Sequence, residues 1–149
     1  MCFFFFNGKY LERTPPEEWL DTKFLPYGSA EENLTSMLFG PNFISSKLYN
    51  LCSPQDVALV NMLLRPSSLL LPDLSNKSPF SEEGFGSLKR VYIVCPEDKA
   101  IPVDFQRWLV GTIGVDQVKE IEDADHMAML SKPQELCQCL LEIISQYYA

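Results

Sequence analysis

The chain reads as an α/β protein in which strands of a parallel sheet with flanking helices follow a mixed region of short helices and a small hairpin. Three features carry that reading. Residues 91–95, VYIVC, are a β-branched and aromatic run of the length of a buried strand. Residues 118–121, VKEI, make a second short strand. Between them, Ile101, Phe105, Leu109 and Thr112 recur near helical spacing over 101–112, with Pro102 suited to the first turn and Gly114 to stop it.

The earlier elements follow in order. Thr14-Pro15-Pro16-Glu17 has the signature of a capping box, so a short helical turn is predicted to carry Trp19 and Leu20. Residues 21–27 and 33–39 are predicted strands paired antiparallel across the loop at 28–32. Gly40-Pro41 ends the second and starts a helix to about Leu51, with Phe43, Ile44, Leu48 and Leu51 on one face. Ser53-Pro54-Gln55-Asp56 opens another helix, with Ser as cap and an acid in the first turn; it carries Val57, Val60 and Leu64 and stops before Arg65-Pro66. Residues 67–71 are a short apolar run, and 72–87 lack periodicity and read as a connection back to the sheet. The last helix opens at 131–135, SKPQE, and Leu136, Leu140, Leu141 and Ile144 are its expected core stripe.

Composition excludes several classes. The chain has 149 residues, 46% of them hydrophobic, enough for one core. A formal charge of −8 leaves no basic stripe for nucleic acid or an anionic membrane surface. Five cysteines without a disulfide-framework spacing fit a reducing, cytoplasmic setting, and a single histidine argues against structural zinc; no cofactor is expected. Residues 1–8, opening MCFFFF, are an atypical start: too short for a membrane span, without a secretory signal's basic region or cleavage site, and expected to mark a truncated gene model or an alternative first exon, with a real hydrophobic N-terminal strand as the other reading.

Two residues stand out for chemistry. Asp98 falls in the loop just past the first strand's end, and His126 in the loop past the second. In a βαβ unit both loops lie on one edge of the sheet, where open α/β folds keep their sites. A carboxylate on one imidazole nitrogen fixes the tautomer and leaves the other nitrogen to act as a base. Strand, acid, helix, strand, histidine is also the order of the last two members of an α/β-hydrolase triad.

VYIVCPEDKAIPVDFQRW and DADHMAMLSKPQELC resemble the plant methylesterase family of α/β-hydrolases, relatives of the hydroxynitrile lyases, in its C-terminal half. The resemblance covers the chain from about Lys9 onward. It implies a cap over 9–79 and the C-terminal part of the hydrolase core over 80–149, with Asp98 as triad acid and His126 as triad base. Tyr10, Trp19, Phe24, Met37 and Phe39 match positions that form an apolar substrate pocket in salicylate-binding members. Flat aromatic walls and an adaptable thioether suit a small aromatic or cyclopentane ester. They are also residues a cap would use for its own core. Met127 stands where the lyases place a lysine, so the charge that assists cyanide departure is lacking and esterase chemistry is preferred.

The implied activity is hydrolysis of methyl esters of small hormones such as methyl salicylate, methyl jasmonate and methyl indole-3-acetate. The partner is then a small-molecule ester or its acid product, and the family allows a homodimer. A serine nucleophile sits in G-x-S-x-G, and no such motif occurs in this sequence; Gly84-Phe85-Gly86-Ser87 has the wrong spacing. The chain is therefore expected to carry base and acid but no nucleophile, and to be inactive alone. A catalytically inactive ligand-binding remnant is the alternative.

Overall fold

The computed structural model describes residues 10, 12–29, 31, 34–69, 81 and 83–148. The atypical start at 1–8, Leu70 and Leu71 of the apolar run, and the connector at 72–80 lie outside the described residues. The chain forms two compact units. One comprises the described residues of Met1–Phe43 and Asn61–Leu88, the other Ile44–Val60 with the described part of Lys89–Ala149. Compared with a division near residue 80, the boundary falls after Leu88, and Ile44–Val60 sides with the second unit.

In the first unit the helical turn predicted around Trp19 is a 3-10 turn, Pro16–Trp19. The capping box does not form. Pro15 occupies the cap position without a side-chain bond, and the Thr14 hydroxyl donates instead to the carbonyl of Tyr10 at 2.7 Å. Strands β1 (Lys23–Tyr27) and β2 (Leu34–Leu38) pair antiparallel from Lys23↔Leu38 to Tyr27↔Leu34. Pro26 is tolerated because β1 is an edge strand, and β2 takes its second partner from the short β3 (Ser67–Ser68).

Helix α1 (Pro41–Phe43) passes directly into a π-helical turn, Ile44–Leu48. Its first turn is capped from a distance: the Asp21 carboxylate accepts the N–H of Asn42 at 2.9 Å and of Phe43 at 3.0 Å. Gly40 is required beside it, since a Cβ there would land on that carboxylate. Phe43, Ile44 and Leu48 are buried as expected, but Leu51 is exposed: the helix has already ended, and Leu51 lies in the turn that follows.

The second unit holds the start of α2 (Pro54–Leu63), where Ser53 Oγ accepts the N–H of Asp56 at 3.2 Å. It continues with β4 (Val91–Val94), α3 (Val103–Ile113), β5 (Gln117–Glu120), α4 (Ala128–Ser131) and α5 (Pro133–Tyr148). Strands β4 and β5 pair in parallel, Val91↔Gln117 to Val94↔Glu120, which fixes the βαβ unit. Gly114 ends α3 at φ +61°, a conformation open to glycine at little cost.

Phe105 and Leu109 of α3 are buried. Ile121, Ala124, Ala128 and Cys139 form a core cluster with Ile93, Cys95, Leu136 and Ile143 packed against it. The stripe expected on α5 is thus rotated. Leu136 faces the core with Cys139 and Ile143, whereas Leu140, Leu141 and Ile144 are 45–54% exposed. Apolar residues occupy more than one face of this helix, so periodicity alone does not single out the buried one. Among the described residues no helix is long and apolar enough to cross a membrane.

Candidate active site

The loops after β4 and β5 are held together before any side-chain chemistry is considered. Ile121 N–H continues the ladder to the Val94 carbonyl at 3.0 Å, and Glu97 N–H reaches the Ala124 carbonyl at 3.0 Å. From α3, the buried Gln106 ties down the first loop. Its amide donates to the carbonyls of Cys95 and Ile101 at 2.8 and 2.7 Å, and its oxygen accepts the Cys95 N–H at 3.0 Å. The end of β4 is therefore locked to the helix that follows it.

That lock presents Asp98. One carboxylate oxygen, Oδ1, accepts the backbone N–H groups of Ala100 and Ile101 at 2.9 and 2.7 Å. The other, Oδ2, lies 2.9 Å from Nδ1 of His126. An ionised carboxylate only accepts, so Nδ1–H is the donor and Nε2 is left with its lone pair. Asp98 is 7% exposed, whereas the imidazole is 31% exposed. A fixed tautomer on a part-exposed ring is an arrangement able to take a proton from a hydroxyl and return it to a leaving group.

The neighbouring acidic groups stay neutral. Burial, then the nearby Asp98 charge, pushes the Tyr92 hydroxyl up to about 12 and the Cys95 thiol up to about 11. Neither offers an anion to compete with Asp98 for the imidazole. Cys52, Cys95, Cys137 and Cys139 are all free thiols.

The cap residues singled out from the sequence fall mostly into one aromatic cluster within the first unit. Trp19 meets Tyr10 edge-on at 5.8 Å and Phe24 edge-on at 5.2 Å, and stacks on Phe43 at 5.7 Å. Phe39 stacks on the other partner, Phe43, at 4.9 Å. Met37 sits opposite Phe24 in the β1–β2 pair. Phe43, read from the sequence only as a helix-core residue, is the member that joins the set. Met127 stands immediately before α4, half-buried, its N–H donating to Asp125 at 2.9 Å.

Sequence reasoning missed Gln106 and Asp125. Gln106 had one available signal, a polar residue adjoining the apolar stripe of α3. Asp125, fully buried directly before His126, had none, because its partners include a backbone N–H and a thiol more than seventy residues away.

No protein-family model matches the chain. It is 63% identical over 139 residues to salicylic acid-binding protein 2 of Nicotiana tabacum, covering 93% of this chain and 54% of that protein. It is 50% identical over 135 residues to polyneuridine aldehyde esterase of Rauvolfia serpentina, covering 91% and 51%. A crystal structure of polyneuridine aldehyde esterase superposes with a TM-score of 0.87 at 49% identity, covering 91% of this chain and 53% of that one. The chain spans about half the length of the curated relatives it matches. On this identity and shared fold, the chain belongs to the plant methylesterase family of α/β-hydrolases.

Proposed function

We propose that this chain supplies the acid and base of a Ser-His-Asp carboxylesterase acting on methyl esters of small hormones, with methyl salicylate, methyl jasmonate and methyl indole-3-acetate as the substrate class. The observation that carries the proposal is the 2.9 Å bond between Asp98 and Nδ1 of His126, the chain's single imidazole. A serine hydroxyl from outside this sequence attacks the ester carbonyl as Nε2 of His126 takes its proton. The proton passes to the departing methanol, and water then cleaves the acyl-enzyme by the same base. Asp98 stabilises the imidazolium and keeps the ring in the reactive tautomer. Tyr10, Trp19, Phe24, Met37, Phe39 and Met127 are proposed as substrate contacts, and a cytoplasmic homodimer as the setting.

Since the sequence contains no G-x-S-x-G, the chain by itself is proposed to be inactive. That same fact favours a second reading, a ligand-binding remnant without turnover. The two separate in a chimera in which this chain replaces the matching 54% of the tobacco relative. Turnover of methyl salicylate above that of long-chain esters, lost by about 10⁴-fold or more in His126→Ala, is the expected result. A folded, inactive chimera would favour the remnant, and preference for long acyl chains would remove the substrate assignment.

A further inference from the structure

Asp125 is a charged residue with no solvent exposure, adjacent to His126 in sequence, and the triad does not use it. A buried carboxylate is stable only when its lone pairs are occupied. Among the described residues no cation pairs with it. Four donors do the work instead. Oδ1 accepts the Met127 N–H at 2.9 Å and the Ser131 hydroxyl at 2.7 Å. Oδ2 accepts the Leu51 N–H at 2.8 Å and the Cys52 thiol at 3.4 Å.

The geometry has two consequences for the histidine. The bond from Met127 N–H back to the Asp125 side chain closes a small ring around the His126 backbone, an Asx turn. The bonds from Leu51 and Cys52 anchor that ring to the turn between the π-helical segment and α2, within the same compact unit. Ser131 ties the end of α4 to it from the other side. His126 is thus fixed from behind by one carboxylate, while a different carboxylate, Asp98, fixes its ring.

We infer that Asp125 is a positioning residue: it sets the backbone from which His126 reaches Asp98, by tethering the histidine loop to the Leu51–Cys52 turn. The inference rests on the proposed role of His126 as base. Cys52 is an integral donor in this device. Burial, then the charge of Asp125 and the hydrogen bond to it, pushes its thiol up to about 12, so the proton that makes the bond stays in place at neutral pH.

The single histidine makes the test direct, because all imidazole signals belong to His126. Two-bond ¹H–¹⁵N spectra of the 149-residue chain report which ring nitrogen carries the proton. The native chain is expected to hold the Nδ1–H tautomer. Asp125→Asn keeps one accepting oxygen, sets an amide NH2 against two of the four donors, and should replace that signature with a mixture of the two tautomers. A residue needed only for stability would lower the melting temperature and leave the ring signature of the folded fraction unchanged. Where Asp125→Asn does not fold, the double variant Cys52→Ala/Ser131→Ala decides: it keeps the carboxylate, removes two of its donors, and should give a partial shift toward the mixture. An unaltered Nδ1–H signature in a folded Asp125→Asn, or in the double variant, would overturn the inference. Turnover in the chimera is a separate reading: activity surviving His126→Ala would refute the catalytic assignment without touching the ring comparison.

Discussion

The free thiols among the described residues differ because their surroundings differ. Cys52 faces the buried Asp125 carboxylate and Cys95 lies near Asp98, and both are pushed well above the ordinary thiol value, to about 12 and about 11. Cys137 is exposed on α5. The thiolate is the reactive form, so a raised pKa lowers the reactive fraction tenfold per unit at any pH below it. Iodoacetamide at pH 8 is expected to label Cys137 ahead of Cys52, with Cys52 slower by roughly 10²-fold or more. Peptide mapping by mass spectrometry reads this, and equal labelling rates for the two would contradict the Asp125–Cys52 hydrogen bond. Asp98 and His126 were legible in the sequence because polar residues at two strand ends follow a pattern. Asp125 was not, because its role depends on a chain segment brought alongside only by folding.

The hairpin and the helix after it illustrate how an element can depend on a distant residue. Asp21 accepts two N–H groups of α1, and these bonds hold its carboxyl below the ordinary range. A group with a depressed folded-state pKa stabilises the fold above its unfolded value and loses that contribution as pH falls through the folded one. Asp21→Ala is expected to lower the melting temperature at pH 7, with the gap to the native chain closing as the solution is acidified below about pH 4. A gap that stays constant down to pH 2 would show that Asp21 acts by packing alone. The antiparallel pair was readable as two short strands flanking the loop at 28–32, and the parallel β4–β5 unit from a β-branched run, a helix and a second short strand. The capping box at Thr14 was misread since proline, which has no side-chain acceptor, takes the cap position, and Thr14 turns both its N–H and its hydroxyl back to the Tyr10 carbonyl. The face of α5 was misread because its sequence is apolar on more than one side.

The two compact units carry different parts of the account: an aromatic cluster built on Phe43 in one, and a βαβ frame that brings an acid to a histidine in the other. In the second unit the exposed Val118, Leu140, Leu141 and Ile144 are apolar residues without cover among the described residues, in a chain that spans about half of its relatives. The frame nonetheless sets the chemistry, since each oxygen of Asp98 has its own assignment: Oδ1 to two backbone N–H groups, Oδ2 to the imidazole. Asp98→Asn keeps the shape and turns one oxygen into an N–H₂ donor. With Oδ1 still needed by Ala100 and Ile101, the amide nitrogen faces Nδ1, which must then accept, and the proton moves to Nε2. The base is thereby blocked without loss of fold. Measured as kcat/KM for methyl salicylate in the chimera, Asp98→Asn is expected to fall by about 10⁴-fold, and a value within tenfold of the unmodified chimera would contradict an Asp98–His126 catalytic pair.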